Sequence, residues 1–107
     1  MYEYEAIVTS VYDGDTITID IDLGFDVILK KQKIRLLGIN TPEVRGSERE
    51  KGLVSRDALR EKILGEQVII KTEKRGKYGR WLGTIYIERM NVNQWLINEG
   101  YAEEYKK

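Results

Sequence analysis

A chain of 107 residues fits one domain, 1–107, which at this size buries roughly 65% of its unfolded surface, core enough for a stable monomer. Its composition, 41% hydrophobic and 34% charged with no cysteine and no histidine, excludes disulfides, thiolate nucleophiles, the commonest general base and the commonest zinc ligand. Eighteen basic and eighteen acidic side chains cancel, which is not the profile of a protein that holds nucleic acid by bulk charge, and no apolar run approaches the ~18 residues of a membrane span.

The first stretch, "MYEYEAIVTSVYDGD", has no basic segment followed by an apolar one. No signal peptide is read, so a cytoplasmic location is expected, with a trimmed secreted form as the alternative. "AIVTSVYDGDTITIDID" predicts two strands around an Asp13-Gly14 turn: Ile17, Ile19 and Ile21 alternate with polar residues, and Ile7, Thr9 and Val11 show the same period. "LGFDVILKKQ" predicts a turn or hairpin, and "KIRLLGI" a third strand deep in the sheet. Ser47 and Glu50 have the spacing of a capping box for a helix from Glu48 to Leu64, with Gly65 as its C-terminal stop. Along that helix Val54 with Ala58 and Leu59 with Ile63 are the apolar pairs.

"EQVIIKT" and "RWLGTIYIE" predict strands four and five. Asn91 with Gln94 caps a short helix, Asn93 to Glu99, which stops at Gly100. Three strands, a helix, two strands and a helix predict a β-barrel with helices (α+β): a five-stranded OB-fold barrel, one helix between strands 3 and 4 and a short C-terminal helix.

Charge is unevenly distributed. "KTEKRGKYGR", Lys71 to Arg80, has five cations and one anion, whereas Asp13, Asp15, Asp20, Asp22 and Asp26 crowd the early chain. Asp15, at the strand side of its turn, can face the barrel mouth. In "INTPE" the proline fixes φ at a strand end, so Asp15, Asn40, the Thr41 carbonyl and Glu43 form an oxygen array suited to Ca2+. The plainer alternative is that Pro42 stops a strand and Glu43 lies on the surface. Arg35 sits in an apolar strand and needs an anionic partner, either an internal carboxylate or a substrate phosphate.

The motifs DGDT, R-L-L-G-I-x-T-P-E and K-Y-G-R-x-L, in this order from Ala6 to Ala102, resemble the staphylococcal nuclease (thermonuclease) family. The resemblance implies an OB-fold, calcium-dependent, sugar-nonspecific nuclease that cuts DNA and RNA to 3'-phosphate products and prefers single strands. It further implies that Asp15, Asn40 and Thr41 hold one Ca2+, that Glu43 is the general base, and that Arg35 and Arg80 grip the phosphate. Lys77 and Tyr78 would contact a neighbouring phosphate, and Tyr105 lies near the place of a base-stacking aromatic. The family usually has aspartate where this chain has Asn40, a change worth roughly 1.5–3 kcal/mol, or about ten- to a hundredfold in metal affinity. The alternative is therefore a weak or inactive OB module that binds nucleic acid or a protein partner.

Overall fold

The structure is a computed structural model that describes residues 2–75 and 80–105. Strands β1 (Tyr2–Asp13) and β2 (Thr16–Asp22) form the expected antiparallel hairpin around Gly14 and Asp15. Ile17, Ile19 and Ile21 face inward as their alternation requires. On β1 the period of Ile7, Thr9 and Val11 does not mark one face: a bulge between Val8 and Ser10 shifts the phase, so Ala6, Val8, Val11 and Asp13 are buried while Ile7 and Thr9 are exposed.

The chain turns back at Leu23–Val27, closed by the Leu23 N–H donating to the Val27 carbonyl, the Val27 N–H donating to the Gly24 carbonyl, and Asp22, whose Oδ1 accepts from the Gly24 N–H. Strand β3 (Ile28–Leu36) follows, so the second half of "LGFDVILKKQ" is strand. Nor is "KIRLLGI" one continuous strand: Gly38, at φ +80°, breaks it, and Ile39–Asn40 form a short β4.

A single 3-10 turn (Gly46–Glu48) leads into helix α1 (Arg49–Ile63). The Ser47–Glu50 capping box does not form: neither helix start has a side-chain cap. The Glu48 side chain is instead turned to the loop ahead, its Oε1 accepting from the Glu43 N–H at 3.4 Å. The buried face of α1 is Gly52, Ser55, Leu59 and Ile63, and Val54 is 58% exposed, contrary to its expected pairing inside. Gly65 takes φ +77° just beyond the helix, as a C-terminal stop requires.

Strands β5 (Gln67–Arg75), β6 (Trp81–Ile87) and β7 (Met90–Asn91) lead to α2 (Val92–Asn98), and β8 (Glu103–Glu104) pairs with β4. The Asn91 Oδ1 accepts from the Gln94 N–H at 3.0 Å, so that cap is present and the helix starts one residue earlier than expected. The main strands run β3-β2-β1-β5-β6, and a parallel pairing of β3 with β6 closes the sheet into the expected five-stranded barrel. Its interior is filled by Ile17, Ile19, Ile34, Ile70 and Ile85, with Leu59, Ile63 and Leu96 packed over it from the helices. Among the described residues no helix is long and apolar enough to cross a membrane.

Candidate active site

Three separate segments meet at the mouth of the barrel. The turn of β1–β2 supplies Asp15, which lies within that turn, one residue before β2, and whose side chain is buried. Its Oδ1 accepts from the Thr16 hydroxyl at 3.1 Å, and its Oδ2 accepts from the Thr41 N–H at 3.1 Å and pairs with Arg35 Nη1 at 3.4 Å. Arg35, near the end of β3, also donates to the carbonyls of Leu36 (3.1 Å) and Ile39 (3.0 Å) and to Asn40 Oδ1 (3.3 Å). Arg80 arrives just ahead of β6 and donates to the Thr16 hydroxyl oxygen at 3.3 Å. Of the two anionic partners considered for Arg35, an internal carboxylate or a substrate phosphate, the chain itself supplies a carboxylate, that of Asp15.

Two glycines hold the Thr41–Glu43 loop in place. At Gly14 an added Cβ would stand 2.8 Å from Thr41 Cγ2 and 2.9 Å from Ser55 Cβ. At Gly52 it would overlap the Glu43 carbonyl and lie 2.9 Å from the Pro42 oxygen. The bare backbone of α1 is therefore the floor on which the loop rests. Ser55, one turn on, donates to the Tyr101 carbonyl at 2.7 Å and ties the helix to the chain after α2.

Asp13 is a member of the cluster that the motif reading passed over. It is buried, its Oδ1 accepts from the Asp15 N–H at 3.0 Å, and burial, reinforced by the neighbouring Asp15, pushes its carboxyl up to about 7. Thr16 was also missed as the link between Asp15 and Arg80. The signal for both was the DGDT motif itself, in which each flanking side chain points back into the mouth.

The remaining candidates divide. Asn40 is brought to Arg35, and Glu43 is exposed on the same loop. Tyr105 is half exposed, with its N–H donating to the Gly38 carbonyl at 2.8 Å, which sets it beside the loop leading to Asn40. Lys77 and Tyr78 lie outside the described residues.

The donor set is oxygen only, and Thr41 Oγ1 is buried beside Asp15 without a hydrogen-bond partner among the described residues. Asp15, Asn40 and the Thr41 carbonyl are compatible with one hard cation completed by water. No group of three or more acidic, histidine or cysteine side chains is gathered for a metal among the described residues, so the set is sparse in charge.

A five-stranded barrel with an acid-and-arginine cluster at its mouth defines the class: a small OB-type domain. The model of the family described as "Staphylococcal nuclease homologue" matches residues 33–107, and the chain belongs to that family. Similar proteins include an uncharacterized endonuclease of Escherichia coli O157:H7, 35% identical over 101 residues, covering 94% of this chain and 60% of that one. Endonuclease YhcR of Bacillus subtilis (strain 168) is 32% identical, covering 96% of this chain and 9% of its own length. The thermonuclease of Staphylococcus hyicus is 31% identical, covering 89% and 56%. The chain thus spans about 60% of the length of the Escherichia coli relative, and less of the other two.

Proposed function

We propose that this chain is a nuclease that hydrolyses phosphodiester bonds of DNA and RNA, acting on single strands as a monomer, with Ca2+ as its metal and 3'-phosphate products. The observation that carries the reading is the convergence of Asp15, Arg35, Thr41 and Arg80, from three distant segments, around one point at the barrel mouth. The names of the relatives, endonuclease and thermonuclease, support it.

Arg35 keeps its guanidinium in place through the Leu36 and Ile39 carbonyls, so it can turn from Asp15 and Asn40 to two phosphate oxygens with little loss of order. Arg80 approaches from β6 and offsets further charge as the phosphorus becomes five-coordinate. Glu43, exposed to solvent, accepts a proton from the attacking water. The new bond joins water oxygen to phosphorus, the bond to the 5'-oxygen breaks, and that oxygen is protonated as it leaves. Ca2+, held by Asp15, Asn40 and the Thr41 carbonyl, supplies when bound a positive charge beside the phosphate. Lys77 and Tyr78 are assigned to the neighbouring phosphate and Tyr105 to a base.

A second reading, a module that binds without cutting, is favoured by one observation: Arg35 already has an internal carboxylate partner in Asp15 and donates to the neutral Asn40. Incubation with heat-denatured DNA over a Ca2+ titration, with a chelator control and Glu43→Gln in parallel, separates the two. Calcium-dependent cleavage lost in the variant is expected. A folded protein that cuts nothing at millimolar Ca2+ refutes the nuclease and leaves the binding module.

A further inference from the structure

Thr16 opens β2, and the register of the sheet sets it opposite Arg35 on β3 and opposite Asp13 on β1. It is buried. Its Oγ1 donates to Asp15 Oδ1 at 3.1 Å and accepts from Arg80 Nη1 at 3.3 Å. One hydroxyl therefore joins a carboxylate assigned to the metal with a guanidinium assigned to the phosphate, although Thr16 and Arg80 lie 64 positions apart in the chain.

The direction of this relay is fixed by the chemistry of its ends. A guanidinium only donates and an ionised carboxylate only accepts, so the single hydroxyl proton is turned to Asp15 and a lone pair to Arg80. Hydrogen bonds aligned in one sense polarise each other, and each arm is stronger while the other is made. Threonine suits the position because its branched Cβ restricts χ1 and keeps Oγ1 within reach of both. The other supports of Asp15 act on different atoms: Asp13 accepts from its backbone N–H, while the Thr41 N–H and Arg35 hold Oδ2.

We infer that Thr16 is a positioning residue for both halves of the site, its one hydroxyl setting the Asp15 carboxylate for a cation and the Arg80 guanidinium for a phosphate. The inference rests on the reading of the chain as a nuclease and adds a residue that touches neither ligand yet governs the affinity for each. A threonine that merely starts the strand would contribute to stability and leave both affinities alone.

The test removes the hydroxyl and keeps the shape. Thr16→Val, shown to be folded by circular dichroism, is compared with Thr16→Ser and the unsubstituted chain in two separate titrations. One uses Ca2+ alone, followed by calorimetry; the other uses a fluorescein-labelled thymidine decamer, followed by anisotropy at low salt with chelator present. Each arm of the relay is a hydrogen bond to a charged group, so Thr16→Val should weaken both ligands by about tenfold. Thr16→Ser, which keeps the hydroxyl, should bind both as the unsubstituted chain does. In an Arg80→Ala background the valine should cost the decamer nothing further, because the hydroxyl acts on phosphate only through Arg80, whereas its cost to Ca2+ should persist.

A folded Thr16→Val protein that binds both ligands normally overturns the proposal, as does a loss confined to one ligand or an equal loss in the serine variant. Where valine prevents folding, Thr16→Ala carries the same comparisons. Cleavage of the decamer with Ca2+, measured in parallel, keeps the two readings apart: its absence refutes the nuclease and leaves the titrations to decide Thr16. An unsubstituted chain that binds neither probe overturns both.

Discussion

Replacing Gly52 by alanine isolates the link between helix packing and the candidate site. In an exposed helix interior this change stabilises by about 1 kcal/mol, because glycine has the poorer helix propensity. Here the added Cβ would overlap the Glu43 carbonyl and crowd that of Pro42, and these are backbone atoms of a loop tethered at Thr41 and Glu43. Overpacking of this kind costs about 1–3 kcal/mol. Where the collision lies toward the upper part of that range, the net effect is roughly 1–2 kcal/mol of destabilisation, or a fall in Tm of roughly 5–10 °C for a domain of this size. Relief comes from lifting the loop, and a displacement near 1 Å at Glu43 lowers activity about a hundredfold. Thermal melts by circular dichroism and cleavage of denatured DNA measure the two effects. A Gly52→Ala protein that melts higher and cuts normally would show that the loop does not depend on the bare helix surface.

Asp13 makes stability depend on pH with an unusual sign for an aspartate. Its folded value, about 7, lies above the unfolded 3.8, so the stability it contributes is complete below the unfolded value and is lost as pH rises through the folded one. Asp13→Asn, compared with the unsubstituted protein by urea denaturation in calcium-free buffer, should therefore be relatively more stable at pH 8 than at pH 4; a difference independent of pH contradicts this. Restoring a carboxylate with Asn40→Asp should reduce the Ca2+ concentration for half-maximal cleavage by about ten- to a hundredfold, read from an activity titration. Asn93 is buried, its Oδ1 accepts from the Ile85 N–H, and its Nδ2 donates to the carbonyls of Leu37 and Gly83. Asn93→Leu takes that partner from the Ile85 N–H and the Leu37 carbonyl, while the Gly83 carbonyl keeps the Leu37 N–H, and should cost about 2–4 kcal/mol in urea denaturation, with the slope unchanged.

The parts of the fold that were legible in the sequence are those governed by neighbours along the chain. The Asp13-Gly14 turn, the alternation of Ile17, Ile19 and Ile21, the Asn91–Gln94 cap and the stop at Gly65 are local devices, and each is present. The capping box at Ser47 had the correct spacing but lost to tertiary packing: with the loop lying on Gly52, Glu48 bonds the Glu43 N–H and Ser47 caps nothing. Val54 was misplaced for the same reason, because the first half of the inward face of α1 is the small pair Gly52 and Ser55, which admit a backbone. The bulge in β1, which inverted the burial of Ile7, has no mark in an alternating pattern. At the site, the motifs identified Asp15, Arg35, Asn40, Thr41 and Arg80, and the structure gathers them. Asp13 stayed hidden because an aspartate beside a turn glycine reads as solvated until the fold buries it.

The seam between β3 and β6 has a consequence in time as well as in space. Arg35 and Arg80 are brought to one seam by the parallel pairing of Ile34 with Trp81 and of Leu36 with Gly83, which joins positions separated by the whole of α1 and β5. Such long-range pairing bears a large loop-closure entropy and tends to form late. The β1–β2–β3 meander can exist without it; the paired arginines cannot. A chain that has regained most of its strand content would still lack the juxtaposed arginines, and loosening that seam would separate them while the β1–β2–β3 meander stays paired.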